Sequence, residues 1–143
     1  MVYHGEGEGV AYMNRSYFRR SKKNKYNARS ITYDDMQFDS QREVLRYKEL
    51  SFLMSQDIIS ELQRQVKYLL IPAQREPGTY GPRGGFKPGK LLENECSYVA
   101  DFVYRINETG EIVVEDTKGF KTKDYIIKRK LMLFVYGIKI KEI

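Results

Sequence analysis

The stretch Ser97-Tyr98-Val99-Ala100-Asp101-Phe102-Val103-Tyr104, followed one turn later by Ile112-Val113-Val114-Glu115-Asp116-Thr117-Lys118-Gly119, decides the fold. Both segments read as short apolar strands. Asn107-Glu108-Thr109-Gly110 between them reads as a turn whose glycine can take a left-handed conformation. Charge usually collects at the ends of such strands, yet here two carboxylates and an ammonium lie inside them. If Ile106 pairs with Glu111, Asp101 falls opposite Asp116. In a non-hydrogen-bonded antiparallel pair the Cα atoms stand about 4.5 Å apart. Both carboxylates could then touch one hard divalent cation, which takes oxygen ligands. The period of two puts Val114, Asp116 and Lys118 on one face and Val113, Glu115 and Thr117 on the other. Lys118 could there orient or, with a lowered pKa, deprotonate a water, or stabilise charge on phosphate oxygens. A surface hairpin laced by ion pairs would use the same residues, and spacing alone does not choose between the two.

Upstream, Ile31-Thr32-Tyr33 and Met36-Gln37-Phe38 flank Asp34-Asp35 as a tight hairpin. A helix over about 40–55 follows, opened by Ser40 and Glu43 in a capping-box pattern. Its buried face is predicted from Val44, Tyr47, Leu50 and Met54. Glu43 has two readings, as partner of the cap or as a third carboxylate delivered to the acid pair. A strand over 65–71 ends at Pro72, with Gln65 on the face opposite Val66, Tyr68 and Leu70. Residues 73–90 are rich in Gly and Pro and carry Arg75, Arg83, Lys87 and Lys90, which predicts a long basic loop. After the central strands, at about 96–106 and 111–117, comes a helix near 123–135 with Lys123, Lys128, Arg129 and Lys130. Gly137 breaks it. A closing strand over 138–143 turns Ile138 and Ile140 inward. The order is mixed α/β, a sheet covered by one or two helices.

A chain of 143 residues is most simply one domain. Its 25 Lys and Arg against 19 acids give a net charge of +6, which favours a polyanionic partner such as DNA without specifying a fold. Residues 1–30 read as a basic N-terminal arm in which Arg19, Arg20, Lys22 and Lys23 lie among aromatic residues. It is either a solubilising tail or an arm that orders on phosphates. A single cysteine, Cys96, and a single histidine, His4, leave no material for a disulfide framework or a His/Cys zinc site. The expectation is a cytoplasmic protein with no membrane span and no apolar signal segment.

With these pieces assembled, the chain resembles the PD-(D/E)XK nuclease superfamily and, more narrowly, the small phage-associated, endonuclease-like proteins of the DUF1064 family. Some of these are described as resembling Holliday junction resolvases. The resemblance is carried by Phe38-Asp39-Ser40-Gln41-Arg42-Glu43, by Leu62 to Tyr68, by Tyr98 to Tyr104 and by Val113 to Thr122, in that order. It implies a restriction-endonuclease-like mixed β-sheet core flanked by helices. It makes Asp101 the motif aspartate, Asp116 and Lys118 the acid-x-Lys pair, and Glu43 the acid of the first helix. Asp101, Asp116 and Glu43 would hold Mg²⁺ or Mn²⁺, with Gln65 and Glu115 as accessory positions. Ala100 stands where the superfamily usually has Pro, which touches backbone shape more than chemistry. The function implied is metal-dependent hydrolysis of DNA, in its narrowest form on branched DNA by a homodimer, with Arg83, Lys87, Lys121, Lys123, Lys128 and Arg129 on phosphates. A phage origin would place it in the host cytoplasm. The rivals are a nucleic-acid-binding or adaptor protein that keeps the fold without catalysis, and a virion-assembly protein.

Overall fold

A computed structural model describes residues 30–143; His4 and the arm's Arg19, Arg20, Lys22 and Lys23 lie outside the described residues. The chain enters through β1 (Ile31–Tyr33) and β2 (Met36–Phe38), an antiparallel hairpin. Its two turn residues, Asp34 and Asp35, both take positive φ (52° and 58°), as a two-residue hairpin turn requires. Helix α1 (Gln41–Ser55) starts where Ser40 Oγ accepts the Glu43 N–H at 3.2 Å. Val44 and Leu50 are buried on its inner face, flanked by Tyr47 and Leu53. Met54, predicted inward, is instead 45% exposed. From Leu50 the stripe continues by a step of three to Leu53 rather than of four, and a period of 3.6 allows either.

Strand β3 (Ile59–Ile71) begins six residues before the predicted 65. Positive φ at Glu61 and a register shift between Ser60 and Gln63 form a bulge, which hides the period of two in its first half. Residues 73–90 are not a structureless loop. Their backbone pairs as β4 (Gln74–Arg75) with β7 (Leu91–Glu93), and β5 (Thr79–Tyr80) with β6 (Phe86–Lys87), forming a ribbon that rises from the sheet. Glycine makes this pairing close. A Cβ on Gly89 would sit 1.9 Å from the Glu76 carbonyl oxygen, and one on Gly78 would run into the Phe86 ring.

Strands β8 (Cys96–Ile106) and β9 (Ile112–Asp116) then form the predicted hairpin, with Gly110 at φ 73°. Helix α2 (Lys123–Tyr136) is capped by Thr122 and stopped by Gly137 in a left-handed conformation. The closing strand is shorter than predicted, β10 (Lys141–Glu142), and runs parallel to β9. Ile140 is nonetheless buried and Ile138 packs against the core, as the alternation predicts. The main sheet is mixed, in the order β10-β9-β8-β3.

Adjacent residues of β9 show where the helices lie. Val113 joins Leu50 of α1, while Val114 joins Met132 of α2, so the helices cover opposite faces of the sheet. Strand β8 serves both sides. Tyr98 and Ala100 belong to the α2 cluster, Phe102 and Tyr104 to the α1 cluster. The strand changes faces at Asp101, beside Gln65 of β3, whose φ is 52°.

Candidate metal and phosphate site

The β8–β9 ladder pairs Phe102 with Glu115, Val103 with Val114 and Tyr104 with Val113. Ile106 N–H donates to the Glu111 carbonyl at 2.9 Å, so the predicted register holds as far as the Phe102–Glu115 pair, where the ladder ends one step short of Asp101 and Asp116.

Each carboxylate is held by its neighbours. Asp101 Oδ2 accepts both the backbone N–H and the hydroxyl of Thr117, each at 2.8 Å, and Gln65 Nε2 donates to Oδ1 at 3.4 Å. Asp116 is fully buried; Tyr98 donates its hydroxyl to Oδ2 at 2.8 Å. The other oxygen, Asp116 Oδ1, is buried without a hydrogen bond and faces Lys118 Nζ at 3.5 Å. Burial foremost pushes the Asp116 pKa up, and the Asp101 charge adds to this, against the Tyr98 hydrogen bond and Lys118. Burial, then the bond to Asp116, pushes the Tyr98 phenol up as well. Lys118 also sits over the Tyr125 ring, 5.4 Å from its centroid.

Glu43 is buried at the start of α1, and both its oxygens serve the cap: Oε1 accepts from Ser40 Oγ and Oε2 from the Asp39 N–H, each at 3.2 Å. Its pKa is raised, first by burial and then by the Asp101 charge. Glu115 is neither a peripheral charge nor an extra ligand on the side of Asp116. It is fully buried on the α1 side, where Arg46 grips it through Nε–Oε2 (2.8 Å) and Nη2–Oε1 (2.6 Å). Tyr104 and Lys141 add contacts at 2.5 and 3.2 Å. Burial alone would raise its pKa; Arg46, then Tyr104 and Lys141, outweigh that and hold it below the ordinary range.

A cleft of about 330 Å³ is lined by Tyr98, Lys118, Asp124, Tyr125 and Lys128 among others; Tyr98 and Lys118 border it, while Asp101 and Asp116 do not line it. A second, of about 320 Å³, lies on the α1 side against Thr117, Arg42 and Arg46. A third hollow, of about 580 Å³, lies elsewhere, between α2 and the β10 segment, and is lined by Arg129, Lys130, Lys139, Lys141 and Glu142 among others. Of the predicted phosphate contacts, Lys121 and Arg129 are paired with Glu142, whose pKa they hold down at about 2. Lys123, Arg83 and Lys87 are exposed, and Lys128 is half-buried at the cleft.

Sequence reasoning missed Tyr98, Thr117 and Arg46. A tyrosine on a buried strand face needs a partner for its hydroxyl, and that need was the signal for Tyr98. Arg46 gave none, because its partner lies 69 residues away.

The ligands that Asp101 and Asp116 themselves offer are carboxylate oxygens, which suit Mg²⁺ or Mn²⁺. Among the described residues, no three His, Cys, Asp or Glu side chains gather closely enough to hold a metal ion. A carboxylate pair still fits Mg²⁺, which keeps several waters and commonly uses one or two carboxylates plus substrate phosphate. A buried carboxylate oxygen without a hydrogen bond is the group such an ion would satisfy.

Among the described residues no helix is long and apolar enough to cross a membrane. A model of the family described as "Protein of unknown function (DUF1064)" matches residues 23–141. No curated protein and no solved structure matches.

Proposed function

We propose that this chain, which belongs to the DUF1064 family, is a divalent-metal-dependent endonuclease of the PD-(D/E)XK type that hydrolyses DNA phosphodiester bonds. The observation that carries the reading is Asp116 Oδ1: buried, without a hydrogen bond and 3.5 Å from the Lys118 ammonium, while Asp101 is bound to the next residue of the chain, Thr117. Burying an aspartate this way is costly unless the site has a use for the charge.

Asp101 and Asp116 would hold the cation, which supplies polarisation of a phosphoryl oxygen and a more acidic water. Tyr98 and Thr117 fix the two carboxylates so that little reorganisation is needed on binding. Lys118 donates to a nonbridging phosphate oxygen and stabilises the charge that develops there. Lys128, at the far side of the same cleft, positions the DNA backbone without reading sequence. Selection of branched DNA and assembly as a homodimer belong to this proposal in its narrower form.

A second reading, a DNA-binding protein with the same fold and no catalysis, is favoured by the engagement of Glu43 in the helix cap and by the want of a third ligand among the described residues. Linear, single-stranded and four-way-junction DNA incubated with Mg²⁺ or EDTA separates the two. Products formed by wild type only with metal, and not by Asp116→Asn, support the nuclease. Salt-sensitive binding without cleavage supports the alternative.

A further inference from the structure

The ribbon of residues 72–95 has no part in the acid site, yet it is ordered and stands away from the core. Its backbone is stitched by Glu76 N–H to the Lys90 carbonyl (2.9 Å) and closed at the tip by Gly81 N–H to the Gly85 carbonyl (2.8 Å). A segment this exposed gains little from burial, so its regular pairing calls for another reason.

Two features of the tip point the same way. First, Tyr80 and Phe86 pack edge to face, ring centroids 5.4 Å apart, while remaining 76% and 59% exposed. The Phe86 ring lies against Gly78, where any side chain would displace it. Second, residues 79–90 contain Arg83, Lys87 and Lys90 and no acid. Rigid exposed rings beside such cations match the chemistry of single-stranded nucleic acid, whose bases stack on aromatic faces while its phosphates follow positive charge.

From this we infer that the ribbon tip is a binding element for unpaired DNA: Tyr80 and Phe86 stack on bases, and Arg83, Lys87 and Lys90 contact the flanking phosphates. The inference deepens the nuclease reading, resting on it for DNA as the partner, and names the substrate feature that it would favour. Placement agrees with this. The ribbon springs from the ends of β3 and β8, next to Ser97, which lines the cleft beside Lys118. At about 3.3 Å per residue, the arm from Ile71 to Arg83 reaches at most about 40 Å from its root. A strand leaving the cleft can therefore run along it. Unpaired bases at a branch point or flap would meet the aromatic pair, whereas bases stacked within a duplex would not.

The test is fluorescence anisotropy of the whole chain in EDTA, with a labelled oligothymidylate and a duplex of equal length, each at two salt concentrations. The variants are Tyr80→Ala/Phe86→Ala and Arg83→Ala/Lys87→Ala, both first matched to wild type by circular dichroism. The aromatic variant is expected to lose about 10-fold or more in affinity for the single strand and little for the duplex. The charge variant weakens both and flattens the salt slope on the single strand by about 0.7 for each phosphate it no longer neutralises. Single-strand binding by the aromatic variant within about two-fold of wild type overturns the inference, as does failure of wild type to bind the oligothymidylate. Cleavage with Mg²⁺ is scored separately. Ribbon-dependent binding without cleavage sinks the nuclease reading alone, and cleavage with aromatic-independent binding sinks the ribbon inference alone.

Discussion

Replacing Arg46 by Met should unfold this protein more readily than any surface change, and the site explains by how much. The Glu115 side chain has no exposed surface, and the guanidinium meets both its oxygens. Methionine keeps much of the stem's volume but leaves a buried carboxylate with only the Tyr104 phenol and Lys141, an ammonium itself 55% exposed. Removing one member of a buried pair costs about 3–5 kcal/mol. At about 4 °C per kcal/mol for a domain of this size, Tm should fall by roughly 12–20 °C. The pH dependence has a definite sign. In wild type Glu115 is held below its ordinary pKa, so its contribution is present above the unfolded value and is lost as pH falls through the folded one. Without Arg46, burial dominates, the folded pKa lies above the unfolded one, and protonation relieves the variant. The gap between the two proteins should therefore narrow as the medium is acidified. Urea unfolding followed by circular dichroism at pH 7 and in mild acid measures both effects. Arg46→Met/Glu115→Leu should recover most of the loss, short of about 1 kcal/mol for the Tyr104 hydroxyl left without its acceptor. A single variant within about 0.5 kcal/mol of wild type at pH 7, inside the range of an ordinary surface change, or a gap that widens in acid, would refute the reasoning.

In single-turnover assays with Mg²⁺, Asp116→Asn should abolish cleavage and Lys118→Ala should slow it by about 10²–10³-fold. Because burial raises the Asp116 pKa in the metal-free chain, Mg²⁺ affinity should begin to weaken with falling pH above the ordinary aspartate value, as isothermal titration at a series of pH values would show. Glu142→Gln should free Lys121 and Arg129, tightening duplex binding and steepening its salt slope by up to about 0.9 for each further phosphate neutralised. The same change should remove a contribution to stability that wild type holds above the ordinary glutamate value and loses as pH falls toward about 2. Ser40→Ala should cost about 1 kcal/mol in urea unfolding, through the lost cap of α1. Gly89→Val should leave the thermal transition nearly unchanged while exposing residues 72–95 to limited proteolysis, since the added side chain meets the Glu76 carbonyl.

What could be read from the chain was whatever local chemistry decides. The Asn107–Gly110 turn sets the register of β8 and β9 as far as the Phe102–Glu115 pair, and alternation along β9 separates Asp116 from Glu115. The caps at Ser40 and Gly137 are local as well. What escaped was set at a distance or built from pieces too short to carry a period. The ribbon's pairings are two or three residues long and punctuated by glycines that usually mean loop. Arg46 meets Glu115 only once the fold has formed. Lys121 and Arg129 looked like free cations because Glu142 reaches them from the β10 segment.

The change of face at Asp101 has a mechanical consequence. The two apolar clusters share no side chain, and the sheet strands β3, β8 and β9 lie between them, each lending residues to both faces. A substitution in one interior therefore reaches the other only through the strands that carry both, and the two carboxylates are anchored on that shared sheet.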